Sequence, residues 1–525
     1  MMSAALRLKP RARMSPPSTP RRPFAPLTRW LDALLDPKRQ ELTVIWTLLA
    51  YMAVWTAYRI IATWPRDLHA DETELYGWSR HLALGTDKHP PFSAWVARAW
   101  FTLVPPSDLS VHLLATANIA LTLYIAWRTM RRYMDAEKSL FGLALLTLIP
   151  FFNFIALKYN ANAVLLPLWA LTIHCFLRAL ESRAALWGAL AGAFAGASML
   201  GKYWSIVLIV ALGLAALIDP RRGRLFASPA PWLMILCGGL VLGPHVWWLA
   251  AHGFPTFAYA AAHESADLAD NLRDTLTYLP GAVAYAAVAL ITAAVVLRPS
   301  RAALADIAWP AEPERRTILL IQLLLIVAPM PVALVTGIRI VPLWAMPAYT
   351  LLPIVLLASP LIAVGREAVR RGLIVASAVS LGSLALSPVV ALVIHLSDPP
   401  GPFEYASLLA DHVDREWRRH SDEAVPLVAG ETVLAENTAF YLRTDTLGFE
   451  TADLAALQQR AAARGAVLVC PAEDKGCIAT AEQIIAGQPQ ILRGKVWLSR
   501  PLFGQPGGRV SDVFFLVLPS GTSAK

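Results

Sequence analysis

Charged residues are scarce in this chain of 525 residues, where Asp, Glu, Lys and Arg together make up 16% and hydrophobic residues 56%. Soluble domains carry about 25% charged residues. The composition, with a mean hydropathy of +0.49, therefore excludes a soluble protein and predicts a polytopic membrane protein. The net charge of +9 comes largely from short basic loops and a basic N-terminal tail. It indicates membrane orientation and not nucleic-acid binding.

Cysteine is also scarce, with four residues in the whole chain. Cys175 and Cys237 fall inside apolar segments, where we expect them to be packing residues. Cys470 and Cys477 flank a short polar stretch near the C-terminus. They can close a small disulfide loop if that region faces an oxidising compartment, and a pair of reduced thiols is the alternative.

The N-terminal tail, Arg7 to Arg22, has no apolar segment or cleavage site close behind its charges, so we do not expect a signal peptide. We interpret residues 1–40 as a cytoplasmic tail. About eleven apolar stretches of spanning length follow. They lie near 42–63, 109–129, 139–157, 161–180, 185–200, 203–218, 229–250, 279–297, 317–336, 345–363 and 372–395.

Arginines are concentrated in alternate loops between these stretches, beginning with Arg128, Arg131 and Arg132. The positive-inside rule then predicts a cytoplasmic N-terminus, with the loops 64–108, 251–278 and 337–344 outside. Residues 41–396 would form the membrane domain. Residues 397–525 have a more mixed composition, with a helical stretch at 403–419 and β-rich runs at 467–470 and 513–518, and they predict a small α/β domain outside the membrane.

Two polar clusters stand in the first external loop, 64–108. The first is His69 to Glu74 (HADETE) and the second is Thr86 to Pro91 (TDKHPP). Ionisable groups are costly beside the hydrocarbon, so a dense group of them there marks a candidate functional site. Apolar residues at helical spacing on both sides predict two interfacial helices, separated at Pro90-Pro91.

The order of these motifs resembles a known family. Asp71-Glu72, then Tyr76, then Gly85 to Trp95 (GTDKHPPFSAW) resemble the first external loop of the polyprenyl-phosphate-sugar-dependent glycosyltransferases of the GT-C class, especially the protein mannosyltransferase and aminoarabinose transferase-like groups. The likeness covers roughly 40–360 and weakens in the C-terminal domain. It implies a GT-C-like fold of about eleven transmembrane helices with a small extracytoplasmic α/β domain.

The resemblance implies roles for individual residues. Asp71 matches the family's general base, which takes the proton of the acceptor hydroxyl, and Glu72 is the next candidate. Cations at the outer ends of spans would hold the donor phosphate, and the candidates are Lys202, Lys88, Arg339 and Lys158. Candidates for substrate binding are Tyr76, Tyr159, Asn160 and Asn162, since phenols and amides suit sugar hydroxyls.

Some relatives hold a divalent metal with an acidic residue before the Pro-Pro pair and a histidine in a later external loop. Here Lys88-His89 precede Pro90, and Asp87 lies one position further away. The ligand candidates are therefore His89, Asp87 and His263, with Glu264 beside His263 as an alternative. Lys88 would make a metal unnecessary if it supplied the fixed positive charge.

The function expected from the sequence is an inverting membrane glycosyltransferase of the bacterial inner membrane. Its partners would be membrane lipids, a polyprenyl-phosphate-linked sugar donor and a lipid, glycan or protein acceptor at the periplasmic face. Two alternatives belong to other classes. One is a transporter or flippase of lipid-linked precursors, and the other is a non-catalytic envelope assembly protein.

Overall fold

The computed structural model describes residues 25–262, 268–397, 400–488 and 490–519. The N-terminal tail therefore lies outside the described residues, as do His263 and Glu264. The helices of the membrane domain are α1 (Ala25–Leu35), α2 (Gln40–Ala62), α3 (Ala70–Ser79), α4 (Phe92–Leu103), α5 (Asp108–Tyr133), α6 (Ala136–Leu146), α7 (Leu165–Ser182), α8 (Ala185–Gly201), α9 (Ile206–Ile218), α10 (Arg222–Phe226), α11 (Ala230–Ala251), α12 (Pro255–Ala262), α13 (Leu268–Tyr285), α14 (Ala287–Leu297), α15 (Arg301–Ala308), α16 (Pro313–Val327), α17 (Pro329–Thr336), α18 (Leu352–Leu357) and α19 (Arg366–Ser397).

Short 3₁₀ segments join several of these helices, at Pro150–Phe152, Phe154–Leu157, Tyr203–Ser205 and Pro342–Leu351. Each of the eleven predicted apolar stretches coincides with helical structure. Their lengths differ from the prediction, however. Within the described ranges, five helices are long and apolar enough to cross a membrane: α2, α5, α11, α16 with α17, and α19.

Two bent pairs raise that number to seven if each pair is one span: α6 with Pro150–Leu157, bent by 90°, and α13 with α14, bent by 46°. The stretch predicted at 139–157 is thus a broken helix, because Pro150 lacks the N–H that would continue it. The apolar helices at 185–201, 203–218 and 342–357 are shorter. A helix of 16 residues extends about 24 Å, which is less than the hydrocarbon thickness.

Glycine allows α8 and α11 to pack with their backbones in contact. Gly188, Gly192 and Gly196 recur at every fourth position and so share one face of α8. A Cβ added to Gly192 would lie 2.0 Å from the Met234 carbonyl oxygen on α11. Small residues at such spacing are the usual basis of close helix contact in membranes.

The C-terminal domain has a five-stranded sheet, in the order β2-β1-β3-β5-β4. The strands are β1 (Leu427–Gly430), β2 (Asp445–Gly448), β3 (Ala466–Pro471), β4 (Ile491–Leu498) and β5 (Val510–Val517), and the helices are α20 (Ala406–Arg418), α21 (Thr432–Leu442), α22 (Leu454–Arg464) and α23 (Lys475–Ile485). β1 is parallel to β2 and β3, and β5 is antiparallel to β3 and β4. The predicted runs at 467–470 and 513–518 are β3 and β5.

Both faces of this sheet are covered. Phe514 and Leu516 of β5 face one buried cluster, and Val513 and Phe515 face the other. The alternation follows from the two-residue period of a strand. Cys470 at the end of β3 and Cys477 in α23 form a disulfide, which selects the first of the two alternatives that the sequence leaves open.

The loop 64–108 contains the predicted pair of helices. α3 and α4 are separated by the segment that contains Pro90 and Pro91, and Pro91 is the N-cap of α4. α21 of the C-terminal domain packs on α3. The C-terminal domain is therefore anchored on the same helix that carries Asp71.

Replacing Gly192 by Ala tests the α8–α11 contact. We expect a destabilisation of about 1–3 kcal/mol, since the new methyl group cannot fit without separating the helices. Gly239→Ala on α11 is the matched control, because a Cβ there meets nothing within 4 Å. Thermal unfolding in detergent measures both, and equal midpoints for the two variants would contradict the packing described.

Candidate active site

Asp71 lies in the first turn of α3, and local hydrogen bonds fix where that helix begins. His69 is the N-cap, and its Nδ1 accepts a hydrogen bond from the Asp71 N–H at 3.1 Å. The Glu72 carboxylate accepts from the backbone N–H of His69 at 3.2 Å. These reciprocal contacts form a capping box. Acidic residues suit this turn because the helix dipole is positive there.

The Asp71 carboxylate contacts the segment that follows the break at Pro150. Lys158 Nζ lies 3.0 Å from Asp71 Oδ2. Asn160 Nδ2 donates to the same oxygen at 3.3 Å. The side chain of Asp71 remains 34% exposed, so a ligand can still reach it.

Burial favours the neutral form of Asp71, but the Lys158 ammonium, together with His69 and Asn160, outweighs it and lowers the pKa of Asp71 to about 2. The carboxylate is therefore ionised at neutral pH. A carboxylate held this firmly by a cation is a weak proton acceptor. Its basicity rises if another anion draws Lys158 away.

Glu72 has a different position from Asp71. Its side chain is fully buried and forms an ion pair with Arg59 of α2 at 3.2 Å. It also accepts a hydrogen bond from the backbone N–H of Tyr159 at 3.2 Å. Glu72 therefore joins α2, α3 and the 158–160 segment. The sequence suggested Glu72 as a second catalytic candidate, but these contacts indicate a structural role.

Lys202 approaches the same region from the end of α8. Its Nζ donates to Asn162 Oδ1 at 2.8 Å, and it lies 4.7 Å from the centre of the Trp344 ring. Asn160 Oδ1 in turn accepts from the backbone N–H groups of Asn162 and Ala163. Asp71, Asn160, Asn162 and the two lysines thus form a connected polar group.

Lys88 and His89 come from the segment between α3 and α4. Lys88 Nζ pairs with Glu74 at 2.9 Å, and burial raises the pKa of Glu74 to about 6 in spite of that cation. Burial, together with the charges of Lys202 and Lys88, lowers the pKa of His89 to about 3. The imidazole of His89 is therefore neutral at physiological pH.

These groups surround a small cavity of about 50 Å³. Its lining combines carboxylates, amides, an imidazole and an indole: Asp71, Glu74, Leu75, Trp78, His89, Asn160, Ala161 and Asn162. The volume suits a water or a few ligand atoms, and not a whole sugar. The cavity therefore has room for only part of a substrate.

Three predicted site residues are placed elsewhere. Tyr76 is buried between Phe101 and Phe440, where it joins the two domains. Tyr159 is 2% exposed, and its hydroxyl has no hydrogen-bond partner within the described residues. Arg339 pairs with Asp274 at 2.7 Å, is largely exposed, and does not line the cavity beside Asp71. The sequence alone does not indicate the direction in which an aromatic or basic side chain of a loop points.

The metal candidates do not form a site by themselves. Within the described ranges, no group of three or more His, Cys, Asp or Glu residues is arranged to hold a metal ion. Asp87 is exposed, and the His89 ring packs edge-on to Trp78 and Tyr259. His263 lies outside the described residues. The part of the chain that is described therefore does not fit a complete metal centre.

Sequence reasoning overlooked two residues near the site. Arg59 was hidden inside an apolar span, although a lone arginine at the outer end of such a span is a signal in itself. Glu436 of α21 was not predicted as a site residue, because the sequence assigns it to the C-terminal domain. Glu436 belongs to α21, which packs on α3, and burial together with the Glu74 carboxylate raises the pKa of Glu436 to about 8.

Polar contacts also join the C-terminal domain to α3. Thr73 Oγ1 hydrogen-bonds Asn437 Oδ1 at 2.5 Å. Arg80, at the end of α3, pairs with Asp445 of β2 at 2.8 Å. The side of α3 opposite the membrane domain is therefore covered by this domain.

Arg59→Met tests the buried pair with Glu72. The change leaves a buried carboxylate without its cation, so we expect a loss of about 3–5 kcal/mol in stability. Arg128→Met is the control, because it breaks an exposed pair with Glu41 and should cost about 0–1 kcal/mol. Adding Glu72→Gln to Arg59→Met should restore part of the stability in thermal unfolding, and a double variant as unstable as the single one would contradict this.

Comparison with known proteins supports the resemblance found in the sequence. A family model described as dolichyl-phosphate-mannose-protein mannosyltransferase matches residues 88–248. This region contains Lys88, His89, Lys158, Asn160 and Lys202 and begins after Asp71. Among curated proteins, the lipopolysaccharide core galacturonosyltransferase RgtA of Rhizobium johnstonii is 26% identical over 283 residues, which cover 51% of this chain and 55% of that protein. The match thus spans about half the length of this relative.

Solved structures show the same fold over most of the chain. The crystal structure of ArnT from Cupriavidus metallidurans bound to undecaprenyl phosphate matches with a TM-score of 0.59 and 14% identity, over 89% of this chain and 98% of that one. The apo structure of the same protein matches with a TM-score of 0.58 and 15% identity, over 89% and 97%. In fold and in sequence, the chain is therefore similar to membrane glycosyltransferases of the GT-C class.

Proposed function

We propose that the protein is an inverting membrane glycosyltransferase that moves a sugar from a polyprenyl-phosphate donor to an acceptor at the periplasmic face, with Asp71 as the general base. The observation that carries the proposal is the ion pair between Asp71 and Lys158, beside a cavity also reached by Asn160 and Asn162. A partly exposed carboxylate next to several cations is what this reaction requires.

The donor phosphate would act on the ion pair first. A phosphate entering between Lys158 and Lys202 competes with Asp71 for the Lys158 ammonium. The pKa of Asp71 then rises, because its ionised form loses its nearest cation. Binding of the donor thereby converts a weak proton acceptor into an effective base.

Transfer then proceeds in one displacement. The acceptor oxygen attacks the anomeric carbon of the donor sugar while its proton passes to Asp71. The bond between the anomeric carbon and the phosphate oxygen breaks, and its electron pair leaves with the polyprenyl phosphate. Lys158 and Lys202 stabilise the growing negative charge on that phosphate. Attack from the opposite face inverts the anomeric centre.

Asn162 and Lys88 would support this arrangement. Asn162 holds Lys202 in place through its amide oxygen. Lys88 is engaged by Glu74, so we assign it to the field around the site and not to direct phosphate contact. Glu72, with Arg59, keeps Asp71 and Lys158 in register.

The relatives support the classes of donor and acceptor. The ArnT structure contains undecaprenyl phosphate, which favours a polyprenyl-phosphate carrier for the donor. The name of RgtA describes transfer to lipopolysaccharide core, which favours a glycolipid acceptor. Both assignments are proposals for this chain.

A bacterial inner membrane location with the site on the periplasmic side agrees with two features. Arginines are concentrated in the loops on the opposite side from 64–108. The disulfide between Cys470 and Cys477 suits an oxidising compartment.

A divalent metal remains a separate proposal. His89 is neutral and would serve as one ligand, with His263 as the predicted second. A metal there would supply positive charge to the phosphate. No step above depends on it, since the two lysines already supply positive charge beside Asp71.

Asp71→Asn tests the base. It keeps the shape of the side chain and removes its basicity, so we expect turnover of lipid-linked sugar to fall about 10²–10⁴-fold with donor binding retained. Asp414→Asn in the outer domain, which only loses an exposed pair with Arg418, is the control and should keep full activity. Unchanged turnover in Asp71→Asn would remove the base assignment, and donor consumption by neither variant nor wild type would favour the transporter.

Lys158→Met tests the coupling between the cation and the base. Without Lys158, burial dominates and the pKa of Asp71 rises from about 2, so Asp71 becomes protonated at a higher pH. We expect the acid limb of kcat/KM to move up by about 1–3 pH units, because this parameter reports the free enzyme. An acid limb at the same pH in wild type and variant would contradict the coupling.

A further inference from the structure

A second and larger cavity lies at the junction of the two domains, at the outer ends of α2 and α5. Its volume is about 490 Å³, within the range of sites for small ligands. We call it the junction cavity, and its lining includes Trp64, Leu68, Asp108, Leu109, His112 and Arg500. It shares no lining residue with the cavity beside Asp71.

Two buried polar atoms, on residues that line the junction cavity, have no hydrogen-bond partner among the described residues. His112 is 4% exposed, and its Nδ1 has no hydrogen-bond partner in the part of the chain that the structure describes. Asp108 Oδ1 also has no hydrogen-bond partner in that part of the chain. The two residues are four positions apart on α5 and so share one face of the helix. Burying such groups without partners is costly, so a ligand that bonds to both would be stabilised.

The other ionic groups of the cavity are already engaged. Asp67 accepts hydrogen bonds from Ser407 and from Arg500, each at 2.7–2.8 Å. Arg66 pairs with Glu404 at 2.8 Å. Asp108 Oδ1 and His112 Nδ1, by contrast, have no hydrogen-bond partner among the described residues, although the Asp108 carboxyl group also bonds to the Tyr441 hydroxyl. A phosphate would meet the Asp108 carboxylate without an unpaired cation, whereas a sugar hydroxyl would donate to it.

Aromatic and apolar side chains complete the cavity on the side of the membrane. Trp64 is 60% exposed and Leu109 is 50% exposed, at the ends of two helices that span the membrane by length and composition. An exposed indole at this level is typical of the membrane interface. It also offers a flat surface on which the apolar face of a sugar ring stacks.

We propose that the junction cavity binds a neutral sugar residue of a membrane glycolipid, with Asp108 and His112 as hydrogen-bonding partners and Trp64 as the stacking surface. The inference rests on the proposed function for its role, since the glycolipid would be the acceptor. Leu68 and Asp71 are three positions apart, at most about 11 Å. A sugar held in the cavity therefore leaves a neighbouring sugar of the same glycan within reach of Asp71.

Such a contact would contribute binding away from the reacting atoms. The sugar in the junction cavity does not change during the reaction, so its contacts are the same in the ground state and the transition state. Their loss should raise the KM for the acceptor and leave kcat unchanged.

The test uses the full-length protein and native mass spectrometry with two added lipids, monoglucosyldiacylglycerol and phosphatidylglycerol. We expect wild type to retain the glucolipid in preference to the phospholipid. Asp108→Asn, which weakens a hydrogen bond to a charged group, and Trp64→Leu should each reduce that retention about tenfold. Trp64→Leu changes an exposed side chain, so it separates loss of binding from loss of folding.

Asp414→Asn, which loses only its pair with Arg418 and lines neither cavity, is the matched control and should bind the glucolipid as wild type does. Equal retention by wild type, Asp108→Asn and Trp64→Leu would overturn the proposal, and so would preference for phosphatidylglycerol, which would indicate a phosphate site. Because binding is read without turnover, failure of the glycosyltransferase assignment would leave this result intact. Where turnover is measurable, an unchanged acceptor KM in Asp108→Asn would also contradict the proposal.

Discussion

The buried carboxylate of Glu72 is the interaction on which the rest of the site depends. It pairs with the guanidinium of Arg59 on α2. It also accepts hydrogen bonds from the backbone N–H groups of His69, the N-cap of α3, and of Tyr159. Three separate segments of the chain therefore meet at one charged group. Since a buried charge must keep its partners, their positions are fixed together, and this brings Asp71 opposite Lys158.

The C-terminal domain is held in place by α3. Thr73 and Arg80 of α3 bond to Asn437 and Asp445, so any movement of this domain would act on α3 and on the carboxylate near its start. The domain also closes one wall of the junction cavity through Arg500 and Ser407. α3 thus connects the proposed reaction centre with the C-terminal domain, and that domain in turn lines the proposed glycolipid site.

Much of the fold could be predicted from periodicity and composition. The apolar stretches became helices, Pro90-Pro91 separated α3 from α4, and the β-rich runs became β3 and β5. Five to seven helices of the described residues are long and apolar enough to cross a membrane, against eleven apolar stretches in the sequence, because some stretches form shorter helices and Pro150 breaks a continuous run. At the site, charge density pointed to Asp71, while the family resemblance and the ends of the apolar stretches pointed to Lys158 and Lys202. The direction in which a side chain points could not be predicted, because nothing in the local sequence distinguishes Tyr76, which is buried against Phe440, from a tyrosine that faces the cavity.

In the proposed mechanism, the donor phosphate displaces Asp71 from Lys158. A structure of the protein with a bound polyprenyl phosphate, determined by electron cryomicroscopy, measures this directly. We predict that Lys158 Nζ contacts a phosphate oxygen and that its distance from Asp71 Oδ2 increases from 3.0 Å to more than about 4 Å, the limit of an ion pair. A bound phosphate that leaves the Asp71–Lys158 pair intact would contradict the account.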